Sequence, residues 1–346
     1  MNNQFSLGAR KSQKDSRTLK TKHLPTTASE LVKGGVEYKP EDILDQHNVG
    51  ICTAISYIQN RNKANGTKYS PDFQYFLQKK YYDNLVYTDW PQWEEGSSNL
   101  HALKVGKRFG HLLEKDFCDL QGKPYITEAD RKLSYADYIA KLKAIPEAEI
   151  ERLLSLCIDK IGGYALANSK DPQDIALAIK NSKVGVTCMY SVGKEWWTPS
   201  HKEKDISPLR PPVKIISGHA VCQTPFDFTM YNLFTIPNTW GIDWCRLGCA
   251  DIIWDQYKPI EVWQIFENET PVITAFNTDL KFGMNNDEVR NMQCFLKIKG
   301  FFDYNPTGYF GPLTFIAVKA FQKARGIPNT GYWGILSRTQ ANKEIS

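Results

Sequence analysis

A chain of 346 residues exceeds what one hydrophobic core usually supports, so about two domains are expected, the larger with ample buried volume. The composition is that of an ordinary globular protein with a net charge of +5, and no apolar run approaches the ~20 residues that cross a bilayer. The first thirty residues are polar and basic with no apolar signal core, so neither a cleaved secretion signal nor a membrane anchor is expected.

The charge is unevenly spread. Residues 1–33 carry seven Lys/Arg against two Asp/Glu, and residues 277–346 carry nine against five, so the body between them is acidic by four. Attraction to a polyanion would sit at the ends, although a solubilising tail and solvated helix faces give the same pattern.

In chain order, helix signals follow the polar arm at 52–61 and then in "SPDFQYFLQKKYY". There Ser70 is a natural N-cap, Pro71 suits the first helical position, and Phe73, Phe76 and Leu77 share a face. A helix is expected at 99–109. Another is expected over 147–161, where Ile150, Leu153, Leu154, Cys157 and Ile161 form a stripe at helical spacing. "DPQDIALAIKNS" reads as a further helix. From Val184 to about Phe266, β-branched and aromatic runs punctuated by Gly, Pro and Asn predict several strands. Helices first and strands afterwards imply an α+β domain with the two kinds of element segregated. The connector "ENETPVITAFN" lacks the Gly/Ser content of a flexible linker. The resulting division is a basic arm at 1–33, a main domain at 34–267, a connector at 268–276 and a small domain at 277–346.

Eight cysteines at this length do not make a disulfide scaffold. Cys157 reads as core, as do Cys188 and Cys222 in strand-like runs. Cys245 and Cys249 leave open half a zinc site, a disulfide or two packed thiols, with no second ligand pair following. Cys52 differs. It follows Gly50 at the start of an apolar helical run, where unpaired N–H groups and the positive helix end favour a thiolate. A lone cysteine is usually a small buried hydrophobe. A nucleophile needs a base and an orienting group for the base, and "SGHAVCQ" and "IPNTWGIDW" supply His219 and Asn238 downstream. His47 is a nearby rival base.

"DQHNVGICTA", "EEGSSNLHALKVGKRFG", "SGHAV" and "IPNTWGIDW", in that order and spacing, resemble the papain-like cysteine peptidases, particularly their bacterial and phage branches, over roughly residues 8–266. The resemblance implies a two-lobed fold, a helical lobe beside a β-rich lobe. It also implies Cys52 as nucleophile, His219 as base and acid, and Asn238 as its orienting partner. Gln46 and the Cys52 backbone N–H would form the oxyanion hole, each donor worth roughly 3–4 kcal/mol. Trp240 would shield the His219–Asn238 bond, and Gly96, Ser97 and Ala220 would line the substrate groove. Ile51 departs from the serine common before the nucleophile and is expected to alter the groove. The long inhibitory propeptide of lysosomal relatives is not expected here, which implies a peptidase either made active or restrained by its short arm.

In the last seventy residues, Val289/Met292/Leu296 and Ala317/Val318/Phe321 form two helical faces, each followed by a glycine-marked turn. With Gly300, "TGYFGPLT", Gln322, Gly326 and "TGYWG" they resemble the three-helix peptidoglycan-binding domain of many cell-wall hydrolases, over about 277–343. This implies wall attachment, with Tyr309, Phe310, Tyr332 and Trp333 as candidate surface aromatics. The expected function is a wall-anchored cysteine endopeptidase, a bacterial or phage lysin cutting peptidoglycan peptides without metal or cofactor. A tethered protease for proteins and a phage tail component with a weakly active fold are the alternatives. Nucleic acid is not an expected partner. The protein is expected to be made in the cytoplasm and to act at the wall after release or as part of a phage particle.

Overall fold

The computed structural model describes residues 7–12, 31–83, 92–197, 208–267, 273–302, 306 and 308–345, and the backbone alone at 19–20. Most of the basic arm and the first part of the connector lie outside the described residues. The chain divides into two compact units, Met1–Asn268 and Glu269–Ser346.

The first unit opens with two short strands, β1 (Leu19–Lys20) and β2 (Lys33–Gly34), and then becomes helical. Helix α1 (Cys52–Asn65) starts at the expected residue and ends at Gly66, whose φ of 63° closes the helix as a left-handed cap. Helix α2 (Pro71–Tyr81) begins as its sequence requires: Ser70 accepts from the Phe73 N–H at 3.1 Å, and Pro71 fills the first position. Helices α3 (Asn99–Arg108), α4 (Tyr135–Lys143) and α5 (Glu147–Ser155) follow. Phe73, Phe76, Leu77, Tyr138, Leu142, Ile150 and Leu153 are buried together with Val49, Ile51 and Ile55, the core of the helical side.

Helix α5 is shorter than the stripe over 147–161 suggested. His111 and Ile158 exchange backbone hydrogen bonds at 2.7 and 2.9 Å, and Asp159 takes φ +53°, so the chain leaves the helix to make a bridge. Cys157 is consequently half-buried beside this core and not within it.

Strand β3 (Gly163–Ala167) precedes the expected onset of strands and is followed by helix α6 (Pro172–Asn181), so helices and strands are less segregated than the sequence reading had them. Then come β4 (Val186–Val192), β5 (Ser217–Gln223), β6 (Phe226–Asp227), β7 (Leu233–Pro237), β8 (Cys249–Ile253) and β9 (Glu261–Phe266). They form a five-stranded sheet in the order β1-β3-β9-β4-β5 and a four-stranded sheet in the order β2-β6-β7-β8. Between and around them lies an aromatic core of Tyr190, Trp196, Phe234, Trp240, Trp244 and Tyr257. Cys188 and Cys222 are buried on β4 and β5 as expected. All eight cysteines are free thiols, so Cys245 and Cys249 form no disulfide, and no cluster of metal-ligating side chains occurs among the described residues. Nor is any described helix long and apolar enough to cross a membrane.

The second unit packs α7 (Asp287–Ile298), α8 (Pro312–Ala324) and α9 (Ile335–Ile345) around Val289, Met292, Leu296, Ala317, Val318 and Phe321, the two faces read from the sequence. It contains an internal repeat that the sequence reading missed. Gln293 Nε2 donates to Tyr309 O and Thr314 Oγ1 at 2.9 and 2.8 Å, while its Oε1 accepts from Gly308 N at 2.9 Å. Gln322 makes the same three bonds to Tyr332 O, Ser337 Oγ and Gly331 N at 2.8, 2.9 and 2.9 Å. Each glutamine closes one Gly-Tyr turn from inside.

Candidate active site

Cys52 is the first residue of α1, with unpaired N–H groups of the helix start around it. Its side chain is fully buried beside Ala9, Met189 and Ala220. His219 sits on β5, where the register pairs it with Tyr190 of β4, and Asn238 follows the end of β7. His219 Nε2 lies 2.7 Å from Asn238 Oδ1, which also accepts from Thr239 N at 2.8 Å. An amide oxygen can only accept, so the bond fixes the proton on Nε2 and leaves the Nδ1 lone pair bare. Nδ1 is buried with no hydrogen-bond partner. It is the nitrogen that can take a proton.

Trp240 covers this pair. Its ring lies 4.5 Å from the His219 ring at 32°, and Trp196 meets His219 edge-on at 5.7 Å. Both tryptophans are buried, so the His219–Asn238 bond is shielded from water. Trp240 therefore backs the His219 ring.

Gln46 is fully buried and held twice by Thr239: its N–H donates to Thr239 O at 2.9 Å, and its Oε1 accepts from Thr239 Oγ1 at 2.7 Å. The second bond turns the carbonyl end of the amide toward Thr239. Gln59, one helical face along α1 from Cys52, joins the two loops. Its Oε1 accepts from Leu44 N at 2.8 Å, and its Nε2 donates to Asn238 O at 3.3 Å. Thr239, Gln59 and Trp196 were not singled out from the sequence, because nothing local marks a buried glutamine or threonine as a tie between distant loops.

His47 is no rival. Its Nδ1 lies 3.1 Å from Asp45 and its Nε2 3.0 Å from Glu128, so both nitrogens face carboxylates. Ile51 packs into the helical core with Val49 and Ile55, so the departure there does not reach the groove.

The groove itself is occupied by the chain's own arm. Ala9 bridges Ser97 on one side and Gly218 on the other. Ser97 N donates to Gly8 O at 2.8 Å, Arg10 N to Ser97 O at 2.8 Å, and Ala9 N to Gly218 O at 3.3 Å. Ser12 adds two bonds to the buried Glu261 carboxylate, from its N–H at 3.1 Å and its hydroxyl at 2.9 Å. The fit admits no side chain at position 8, where a Cβ would lie 2.0 Å from Gly50 O. Residues 8–12 thus lie against Ser97 and Gly218, with Ala9 in one buried cluster with Ala220 and Cys52.

The buried setting controls protonation. Burial raises the Cys52 thiol to about 11, against the opposing pull of backbone groups of Ala220, Gly8, Thr53 and Cys52 itself. Burial lowers His219 to about 4, opposed by its bond to Asn238. With the arm seated, the neutral thiol and neutral imidazole are therefore favoured over the ion pair at neutral pH.

Of the four wall-binding candidates, the second unit exposes two. Tyr309 and Tyr332 are 47% and 44% exposed, whereas Phe310 and Trp333 are 0% exposed and belong to the core with Phe295 and Phe321. Within each "TGY-aromatic-G" turn the tyrosine faces out and the next ring faces in, because neighbouring side chains of an extended segment point to opposite sides.

Comparison with known proteins fits this architecture. The peptidoglycan binding domain family model matches residues 285–336. Xylellain, a cysteine protease from Xylella fastidiosa, is similar in structure with a TM-score of 0.53 and 17% identity, covering 77% of this chain and 97% of that one. Procathepsin L 3 of Tenebrio molitor covers 76% of each chain at 12% identity and a TM-score of 0.48. The SleB N-terminal domain is matched over 100% of its length and 21% of this chain at 27% identity, with a TM-score of 0.20. No curated protein matches the sequence. The chain thus joins a papain-like cysteine-protease fold to a C-terminal peptidoglycan-binding domain.

Proposed function

We propose that the chain is a cysteine endopeptidase of the cell wall, a bacterial or phage lysin that cuts peptide bonds in peptidoglycan stem peptides or cross-bridges. The observation that carries this reading is the His219 ring, tied at Nε2 to Asn238 with Nδ1 bare, on the strand whose next residue, Ala220, shares a buried cluster with the Cys52 thiol at the start of a helix. The wall-binding match on the same chain supplies the location.

In this reading the chemistry begins once a substrate replaces the arm. His219 Nδ1 takes the proton of Cys52, and the thiolate attacks the scissile carbonyl. The oxygen that gains charge is received by the Gln46 amide and the Cys52 N–H at the helix start. The imidazolium returns its proton to the departing amine, and water then releases the acyl group from sulfur. Asn238 keeps the ring oriented throughout and transfers no proton.

Mass spectrometry of purified peptidoglycan after incubation tests the reading. New amine and carboxyl termini within stem peptides or bridges are expected from the intact chain and not from Cys52→Ala, whose small volume loss leaves the fold. His47→Ala should cleave normally. Fragments cut only in the glycan strand, or cleavage retained by Cys52→Ala, would overturn it.

A further inference from the structure

The catalytic roles leave unexplained a cluster of buried charge under the groove wall. Lys79 near the end of α2 and Asp83 just beyond it lie 2.9 Å apart with neither side chain exposed. Asp83 Oδ1 also accepts from Ser97 Oγ at 3.1 Å and faces His101 Nδ1 of α3. Two charges taken out of water are costly, and apolar side chains of similar volume often serve stability as well or better. The contacts of this cluster suggest another use for it.

Consider where the polar groups of two consecutive residues go. Both backbone groups of Gly96 turn into the protein: its N–H donates to Tyr75 Oη at 3.1 Å, and its carbonyl accepts from Lys79 Nζ. The Ser97 side chain is held inward by Asp83, while its N–H and C=O both face the groove and bond the peptide lying there. The reversal between the two residues depends on φ +94° at Gly96, which a side chain would strain. Tyr135 Oη supports the approach to this turn from Trp93 O and Glu94 O at 3.2 and 3.1 Å.

We propose that Lys79, Asp83 and His101 are positioning residues that hold Gly96–Ser97 as the edge receiving the backbone of an extended peptide, and so set substrate affinity. The proposal rests on the peptidase reading for its kinetic consequence. Its structural content, an edge held in place from below, stands apart from that reading.

The test uses the full chain carrying Gly8→Val, which opens the groove because a side chain at position 8 collides with Gly50 O. On that background, Lys79→Met with Asp83→Asn removes both charges together, so neither is left buried alone. For a soluble peptide, KM should rise about tenfold with kcat within about twofold, as expected for lost ground-state binding. Alkylation of Cys52 by iodoacetamide should be unchanged, and amide exchange over 93–98 should quicken at least about tenfold while α1 is unaffected. Ser97→Ala, a milder change that the fold tolerates, should raise KM about threefold. Unchanged KM and exchange in a folded double variant would overturn the proposal, as would a fall in kcat alone. If the double variant does not fold, Ser97→Ala decides in the same way. If the Gly8→Val parent cleaves no peptide, the peptidase reading fails, and exchange over 93–98 still judges the edge.

Discussion

Two buried amides show how differently the units use polar groups. In the second unit Gln322 is almost fully buried, and its amide is closed by bonds to Tyr332 O, Ser337 Oγ and Gly331 N. In the first, Asn238 is equally buried, yet its Nδ2 has no partner, and neither does Nδ1 of the histidine it orients. A buried donor or acceptor without a partner costs about 1–3 kcal/mol, so a fold retains few of them. The Gln322 amide is a closed circuit, whereas the Asn238–His219 pair keeps two open ends.

The contrast is broken most strongly by opening the groove. With the thiol at about 11, only about one Cys52 in 10⁴ is a thiolate at pH 7, and iodoacetamide should react about tenfold faster per pH unit until the thiol titrates. Gly8→Val should raise the rate at pH 7 by about 100-fold or more, since an ordinary cysteine alone gains that much thiolate and His219 adds to it. Equal rates in both proteins would show that the arm does not govern the thiol. His219 gives a second sign. His219 is held down at about 4 in the fold and takes protons near 6.5 when exposed, so the unfolded or opened chain binds more protons between those values. Stability should therefore be full above pH 6.5 and fall as the pH drops toward 4. His111, lowered by burial to about 3, acts in the same direction. A thermal midpoint flat over that range would contradict both.

The closed circuit is the next place to cut. Gln322→Ala removes three hydrogen bonds and leaves Gly331 N and Tyr332 O seeking partners, so the second unit should lose about 2 kcal/mol or more in thermal unfolding. Hydrolysis of a small soluble peptide should not change. Asn238→Ala should do the reverse, lowering turnover to a partial level while the second unit melts as before. If either substitution moved both readouts, the division of labour between circuits would be wrong.

The sequence showed the ends of each interaction better than the connections between them. Cys52, His219, Asn238 and Gln46 stood out because each lies in a short motif of restricted chemistry. Helices α1, α2, α3 and α6 were legible because caps and apolar spacing are local properties. Helix α5 was overrun because its apolar stripe continues past Ser155, and only the bridge to His111, distant in sequence, shows why the chain departs. The same limit hid Gln59, Thr239 and the Lys79–Asp83–His101 cluster, whose meaning lies in partners up to 193 residues away. The arm in the groove was posed only as a question, since no composition rule says that Gly-Ala-Arg fits a slot between Gly50, Gly96 and Gly218. In the second unit both helical faces were read correctly, but Phe310 and Trp333 could not be separated from Tyr309 and Tyr332. Residue type alone does not say which ring of an aromatic pair turns inward.

That pair of turns gives the smallest effect and the finest test of the contrast. Tyr309 and Tyr332 hold equivalent places in the repeat and both are about half exposed, so each can offer a ring face to sugar or peptide without a fold-breaking loss when replaced. Nine cations against five anions in residues 277–346 add a charge attraction to anionic wall polymers. The two contributions separate by salt, because surface attraction is screened within about 10 Å at 0.1 M ionic strength and ring packing is not. Retention of the full chain on purified peptidoglycan should therefore fall with salt to a plateau. Tyr309→Ala or Tyr332→Ala should lower that plateau several-fold, and the double substitution more, with thermal unfolding little changed. Tyr332 also donates to Asp279 at 2.6 Å, so Tyr332→Phe serves as the control, losing that bond while keeping the ring. A plateau that survives loss of both tyrosines would place wall recognition on another face of the unit. Retention that vanishes at high salt in the unaltered chain would reduce it to charge. Cleavage of intact wall should follow retention, and cleavage of a diffusing peptide should not, since a tether raises local concentration only for a substrate that it holds.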